Sequence, residues 1–117
     1  MSHSISAIRY QAPDGDASFV ELLAPVFESG GLRWVLRLEP RAFLGSAAIG
    51  ALVRWQRGLR EREGMLVLAQ AGRSVQRVLR MLGLEEVLPV FETEADAGEH
   101  LGGGKLRVHV VDGEVAI

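Results

Sequence analysis

One stretch of the chain limits its fold more than any other, because it places a strand, a tight turn and the start of a helix in one line. It runs from Val35 to Leu52 and reads VLRLEPRAFLGSAAIGAL. An apolar run ends at Glu39-Pro40-Arg41, small residues follow, and a helical pattern begins at Ile49. The first helical turn carries unpaired N–H groups and the positive end of the helix dipole. Ser46 is therefore predicted at a helix N-terminus, where it can act as a neutral cap or carry a phosphate.

Apolar spacing elsewhere in the chain predicts strands that alternate with helices. Strands are predicted at residues 5–11, 33–38, 65–69 and 87–91, and helices that end at about residues 28, 63, 82 and 101. This alternation predicts an α/β domain with a mixed, mostly parallel sheet of about four to five strands and about four helices. We expect a single domain over residues 1–117, with a core at residues 5–101.

Short local signals set the predicted boundaries of these elements. Ser74 and Thr93 are predicted N-caps, and Gly83 is predicted to end the third helix in a left-handed conformation. Pro89 predicts that the strand containing it lies at a sheet edge. The last residues, 105–117, read as a β-hairpin extension with a type I′ turn at Asp112-Gly113. This hairpin or an edge strand is predicted to supply a sheet edge or to pair with a second copy in a homodimer.

Composition excludes several functional classes. The 117 residues carry a net charge of −2, which predicts neither nucleic acid nor an anionic membrane as a partner. Cysteine is absent from the sequence, so disulfides, thiolate zinc sites and a cysteine nucleophile are excluded. No apolar run approaches the roughly 20 residues of a membrane span, and the N-terminus does not resemble a signal peptide. We expect a cytoplasmic protein without membrane insertion.

The residues that could carry chemistry are scattered. His3, His100 and His109 do not have a second ligand at metal spacing, so no metal site is predicted. The serines lack histidine and aspartate companions at a recognisable spacing. The glycines at 102–104 do not follow a strand and open a helix, as a phosphate-binding loop would. The sequence therefore predicts a protein that is not an enzyme, with no catalytic residue and no cofactor.

Three segments together resemble STAS domains, the fold of bacterial anti-sigma-factor antagonists that is also found attached to sulfate transporters. They are residues 36–52, residues 64–68 and residues 75–97, and the resemblance covers roughly residues 33–101. The third segment is the most specific, because its helix, Gly83-Leu84 stop, Pro89-bearing strand and next cap follow in the spacing of the family.

The resemblance implies a function for Ser46. In the family, the serine directly after the aspartate of the motif is phosphorylated by a partner kinase that is also an anti-sigma factor, and Ser46 stands at that position. Gly45 replaces the aspartate, and Ala47 and Ala48 replace the serine and glycine that follow. The implied function is a regulatory module that binds a kinase-type anti-sigma factor.

The predicted partner-binding residues are the turn around Ser46 and the helix that follows: Gly45, Ser46, Ala47, Ile49, Gly50, Arg54, Trp55 and Arg57. Tryptophan and arginine are enriched at binding hot spots, although Trp55 at the border of the buried stripe can equally pack inside the domain. Two alternatives keep the fold. One is an unphosphorylated scaffold subunit docked on a transporter ATPase, and the other is a small-molecule or nucleotide binder at the strand ends.

Overall fold

A computed structural model describes residues 4–11, 14–15 and 17–112 of the chain. The helices are α1 (Ala17–Glu28), α2 (Ser46–Glu61), α3 (Arg73–Met81) and α4 (Glu94–His100). The strands are β1 (Ile5–Gln11), β2 (Asp14–Gly15), β3 (Arg33–Arg37), β4 (Phe43–Leu44), β5 (Met65–Ala69), β6 (Val90–Phe91) and β7 (Leu106–Asp112). Among these residues, no helix is long and apolar enough to cross a membrane.

The main sheet has the order β6-β5-β3-β1-β7 within the described residues, and every neighbouring pair is parallel. The two short strands β2 and β4 form a separate parallel pair. Parallel neighbours need crossover connections, and α1, α2 and α3 supply them between successive strands of the sheet. The structure is thus an α/β domain, as the alternation of strands and helices predicts.

Helices cover both faces of the sheet, and alternate strand residues fill two separate cores. On the first face, sheet residues such as Trp34 and Leu68 pack with residues of α1, α2 and α3. On the second face, Val35 and Val67 pack with Ala97 and other residues near α4. Because β3 and β5 are covered on both sides, their sequences are nearly continuous apolar runs rather than alternating ones.

Several predicted boundaries agree with the structure. Strands β1 and β5 span the predicted residues, and β3 ends one residue early, at Arg37. Thr93 caps α4, because its Oγ1 accepts the N–H of Asp96 at 3.0 Å. Gly83 has a φ of +69° and ends α3, while the N–H of Leu84 donates to the carbonyl oxygen of Leu79 at 2.8 Å. These features all depend on neighbours within a few residues in the sequence.

The predicted cap of α3 was wrong. The N-cap is Gly72 rather than Ser74, which is an exposed residue within the first turn. The carbonyl oxygen of Gly72 accepts the first helical bond, from the N–H of Gln76 at 3.0 Å. A side chain at Gly72 is excluded by Pro40, whose carbonyl oxygen would lie 1.8 Å from a Cβ built there. The approach of a distant loop therefore selects the cap.

Two predicted β segments also differ. The strand predicted at residues 87–91 is limited to Val90–Phe91, because residues 85–87 form a turn. Its position at the sheet edge agrees with the prediction from Pro89. The first arm of the predicted hairpin is β7, which pairs in parallel with β1 and forms the opposite edge of the sheet. The second arm lies outside the described residues.

Candidate functional site

Ser46 lies at the start of α2 as its first helical residue, and its side chain is exposed. The N-cap is Gly45, which has extended backbone angles of φ −75° and ψ 173° and accepts the N–H of Ile49 at 3.0 Å. No side chain caps this helix, so the predicted cap function of Ser46 was wrong. The hydroxyl of Ser46 is therefore not needed to satisfy the helix end.

The turn before Ser46 is held in place by small and apolar side chains that are buried in the core. Leu44 on β4 and Ala48 on α2 are both buried in the core on either side of Gly45. Strand β4 is in turn paired with β2 and packed against α2 and α3. The first turn of α2 is consequently held by several elements, while Ser46 and Ala47 face outward.

One stripe of α2 carries most of the predicted binding residues. Residues spaced by three or four lie on the same face of a helix, which groups Ser46, Gly50, Arg54 and Arg57. Ser46, Arg54 and Arg57 are exposed, and Gly50 is half-buried. The guanidinium of Arg54 lies over Gly50, because its Nη1 would be 3.5 Å from a Cβ built there. A serine and two arginines thus share one outward surface, which we call the α2 stripe.

Trp55 and Ile49 lie away from the α2 stripe. The ring of Trp55 stacks on Phe27 of α1, with centroids 4.6 Å apart and an interplanar angle of 28°. Trp55 is half-buried by this contact, and it lines an open cleft between α1 and α2. Ile49 is buried in the core beneath the helix. The structure therefore removes Ile49 from the surface that contains Ser46, whereas Trp55 lines a cleft together with Arg54 of the α2 stripe.

Phe43 is an exposed residue on the strand that leads to this turn, and the sequence did not predict its exposure. Its side chain is 52% exposed on β4, three residues before Ser46. The sequence contained a signal for this exposure. Phe43 and Leu44 are adjacent apolar residues of a strand, and adjacent strand residues point to opposite sides. One of the two adjacent apolar residues had to face outward. Large exposed aromatic side chains are frequent anchors of protein interfaces.

A crevice lies at the edge of the sheet where the carboxyl ends of the strands meet, but it has few groups that could catalyse a reaction or bind a metal. It has a volume of about 500 Å³ and is lined by residues that include Pro40, Gln70, Gln76 and Phe91. The amide of Gln76 already donates to the carbonyl oxygen of Ala71 at 2.7 Å. Across the described ranges, no group of three or more histidine, aspartate or glutamate side chains could hold a metal ion.

A comparison with protein families decides the classification. The family model for the STAS domain matches residues 17–97, which is more than two thirds of the chain. The chain belongs to the STAS domain family. STAS domains are regulatory or protein-interaction modules, which agrees with the outward-facing surface of α2.

The STAS match begins at the first residue of α1 and ends within α4. It contains β3, β4, α2 and therefore the whole α2 stripe. Strands β1 and β7 lie outside the matched residues, at the two ends of the described chain. A comparison with curated proteins gives no significant match.

Proposed function

We propose that this STAS domain is a cytoplasmic, non-enzymatic regulator of the anti-sigma-factor-antagonist kind, which binds a kinase-type anti-sigma factor through the α2 stripe. The observation that carries the proposal is the exposed hydroxyl of Ser46 on the first turn of a firmly packed helix. A phosphoacceptor must be accessible to a kinase, and Ser46 has no capping bond to lose on modification.

The surroundings of Ser46 favour contact with another protein. Gly45 and Ala47 are small, so the backbone of a partner can approach the helix end closely. Phe43 adds an exposed aromatic ring beside this turn. Arg54 and Arg57 place positive charge further along the same stripe. A complementary partner surface would be acidic opposite the arginines and would contain an apolar pocket near Phe43.

Phosphorylation of Ser46 would act through charge. A phosphate adds about −1.5 to −2 charges and three acceptor oxygens. A partner surface that accepts the neutral Ser46 and closes over the first turn of α2 would then enclose this negative charge without a counter-charge. An unpaired charge removed from water at an interface costs several kcal/mol, which is enough to release a partner. The modified and unmodified forms would therefore select different partners.

Two substitutions at Ser46 test the proposal against a purified kinase-type anti-sigma factor. Ser46→Ala keeps the site neutral and should change the Kd by less than about threefold, since a small exposed side chain is altered. Ser46→Asp should weaken binding at least about tenfold, or about 1.4 kcal/mol. Ser74→Asp is the matched control, because Ser74 is also an exposed serine in a first helical turn. Equal affinities of the two Ser46 variants would contradict a charge switch.

A scaffold function is the second candidate, and one observation favours it. The first turn of α2 contains no acidic residue, and Gly45 stands where the family motif carries an aspartate. Without that carboxylate, the domain would dock permanently on a partner such as a transporter ATPase. Incubation with a kinase-type anti-sigma factor and ATP, followed by intact mass measurement, separates the two functions. Phosphate on the wild-type chain but not on Ser46→Ala supports the switch, and an unmodified chain supports the scaffold.

A further inference from the structure

The guanidinium of Arg54 extends along the α2 stripe toward the first turn of the helix. Its Nη1 lies 3.5 Å from a Cβ built at Gly50, which is one helical turn before Arg54. Side chains on a helix lean toward its N-terminus, so this direction is the ordinary one. In the described part of the chain, no carboxylate forms an ion pair with Arg54. Its charge is therefore available to a group nearer the start of α2.

Gly50 leaves an open path between Arg54 and Ser46. The three residues are spaced by four, so they follow one another along the same side of α2. Within the described residues, and beyond the backbone of α2 itself, only Nη1 of Arg54 lies within 4 Å of a Cβ built at Gly50. The backbone of Gly50 is not left-handed either. Neither packing nor backbone conformation therefore requires a glycine here, although glycine is less favourable than alanine inside a helix.

A phosphate on Ser46 would lie within reach of this guanidinium. The Cβ atoms of residues four apart on a helix are about 5–6 Å from each other. The bonds from Cβ through Oγ and phosphorus to a phosphate oxygen span most of this distance. Ser46 makes no capping bond, so its side chain can turn along the helix toward Gly50. The planar fork of N–H donors on a guanidinium matches the geometry of phosphate oxygens.

We propose that Arg54 binds the phosphate of phosphorylated Ser46 within the same chain, across the gap at Gly50. This inference rests on the proposed phosphorylation of Ser46, and it names the residue that receives the modified side chain. The guanidinium of Arg54 donates charge-assisted hydrogen bonds to the phosphate oxygens, which replace its contacts with water or with an acidic group of a partner. Arg54 is thus part of the switch as well as part of the binding surface.

The pairing would add to the effect of phosphorylation on partner binding. A phosphate carries about −1.5 to −2 charges, and one guanidinium balances only part of them. A partner that closes over the first turn of α2 would still enclose the remaining negative charge. Arg54 would also no longer be available to an acidic group of that partner. Phosphorylation of Ser46 would therefore change two groups of the α2 stripe at once.

Phosphorus NMR on a chain with phosphoserine installed at position 46 tests the pairing without any partner. A pH titration reports the second pKa of the phosphate, which is about 6 in phosphoserine. A nearby positive charge favours the dianion, so this pKa should be lower in the wild-type sequence than in Arg54→Gln. We expect a difference of about 0.5 in pKa, because an ion pair at an exposed site is weak. The positive end of the helix acts on both chains, so the difference isolates the arginine.

Two further variants separate pairing from general charge. Arg57→Gln is the matched control, because Arg57 is an exposed arginine of the same stripe that lies about 16 Å from Ser46 along the helix axis. This distance exceeds the Debye length of about 8 Å, so the pKa of the phosphate should not change. Gly50→Leu keeps every charge but places a side chain over the turn that contains Ser46. It should raise the pKa as Arg54→Gln does.

Equal pKa values of the phosphate in the wild-type sequence and in Arg54→Gln would overturn the proposal. A pKa that responds to Arg41→Gln instead would also overturn it, since Arg41 is an exposed cation in the segment that leads to Ser46. The proposed function fails in a different way, through an anti-sigma factor that neither binds nor phosphorylates the chain. Because the NMR titration needs no such protein, the two failures are distinguishable.

Discussion

Gln56 of α2 and Leu66 of β5 bind each other through two hydrogen bonds inside the apolar core. The side-chain Nε2 of Gln56 donates to the carbonyl oxygen of Leu66 at 2.7 Å, and its Oε1 accepts the N–H of Leu66 at 2.8 Å. Nε2 also donates to the carbonyl oxygen of Val87 at 2.6 Å. Leu66 needs these bonds because β6 pairs only with Leu68 and Ala69 of β5. The glutamine amide thus takes the place of a strand residue and ties α2 to the sheet.

Replacing Gln56 with leucine should destabilise the domain. The N–H and the carbonyl oxygen of Leu66 and the carbonyl oxygen of Val87 would lose their hydrogen-bond partner. We therefore expect the free energy of unfolding to fall by about 3 kcal/mol. Gln56→Glu should also be destabilising, because a carboxylate accepts the N–H of Leu66 but does not donate to the two carbonyl oxygens. Urea unfolding measures both changes. Arg57→Leu, at an exposed neighbouring position, should change stability by less than about 0.5 kcal/mol, and a similar small change in Gln56→Leu would contradict the assignment.

The same pair shows why the strand at residues 87–91 could not be bounded from the sequence. The run Val87 to Phe91 has the composition of a strand, and the pattern predicts one throughout. In the structure, the amide of Gln56 occupies the ladder position that residues near Val87 would need. Gln56 lies about thirty residues earlier and looks like an ordinary polar helix residue. Its side chain faces inward only because the helix period places it beside Leu52 and Leu59.

Other features of the structure are also set either by residues nearby in the sequence or by residues far away in it. The bounds of β5 and the cap at Thr93 follow from nearby residues, and the sequence predicts both. The glycine N-cap of α3 depends on Pro40, and the parallel pairing of β7 depends on β1 at the other end of the chain. For the candidate site, the sequence placed Ser46 and the two arginines in one predicted surface but also included Ile49, which the structure shows to be buried. The stacking of Trp55 on Phe27 required the position of α1, which spacing does not give.

Ser46 and Thr93 should respond differently to alanine. Ser46 makes no capping bond, so Ser46→Ala should change the free energy of unfolding by less than about 0.5 kcal/mol. Thr93→Ala removes the bond from the N–H of Asp96 and should cost about 1 kcal/mol. Chemical denaturation under one set of conditions compares the two variants. A loss at Ser46 as large as that at Thr93 would show that the serine stabilises the helix end.

The ion pair between Arg9 and Glu94 should make stability depend on acidic pH. The guanidinium donates to both carboxylate oxygens, at 2.8 and 3.0 Å, and these hydrogen bonds lower the pKa of Glu94 from its ordinary value. A lowered folded-state pKa stabilises the domain above the unfolded pKa of about 4.3. That stabilisation is lost as pH falls through the lower, folded-state value.

Thermal unfolding of Glu94→Gln between pH 7 and pH 2 measures this contribution. The variant should have a lower Tm than the wild type at pH 7, and the difference should shrink as pH falls below about 4. Glu85→Gln is the matched control, because the pair of Arg80 and Glu85 is long, at 3.7 Å, and both side chains are mostly exposed. The prediction fails if the Tm difference for Glu94→Gln is constant over this pH range.

Two glycines should respond to alanine with opposite signs. A Cβ at Gly58, inside α2, meets no atom within 4 Å, so Gly58→Ala should stabilise the domain by about 0.5–1 kcal/mol through helix propensity. A Cβ at Gly72 would lie 1.8 Å from the carbonyl oxygen of Pro40, so Gly72→Ala should cost about 2–3 kcal/mol. Urea unfolding measures both variants.

Because Pro40 belongs to the segment that leads to Ser46, Gly72→Ala should also weaken partner binding at the α2 stripe, whereas Gly58→Ala should leave that segment in place. If the Gly72→Ala variant had wild-type stability, the segment around Pro40 would move away from the new Cβ without any loss of free energy, and the prediction would be wrong.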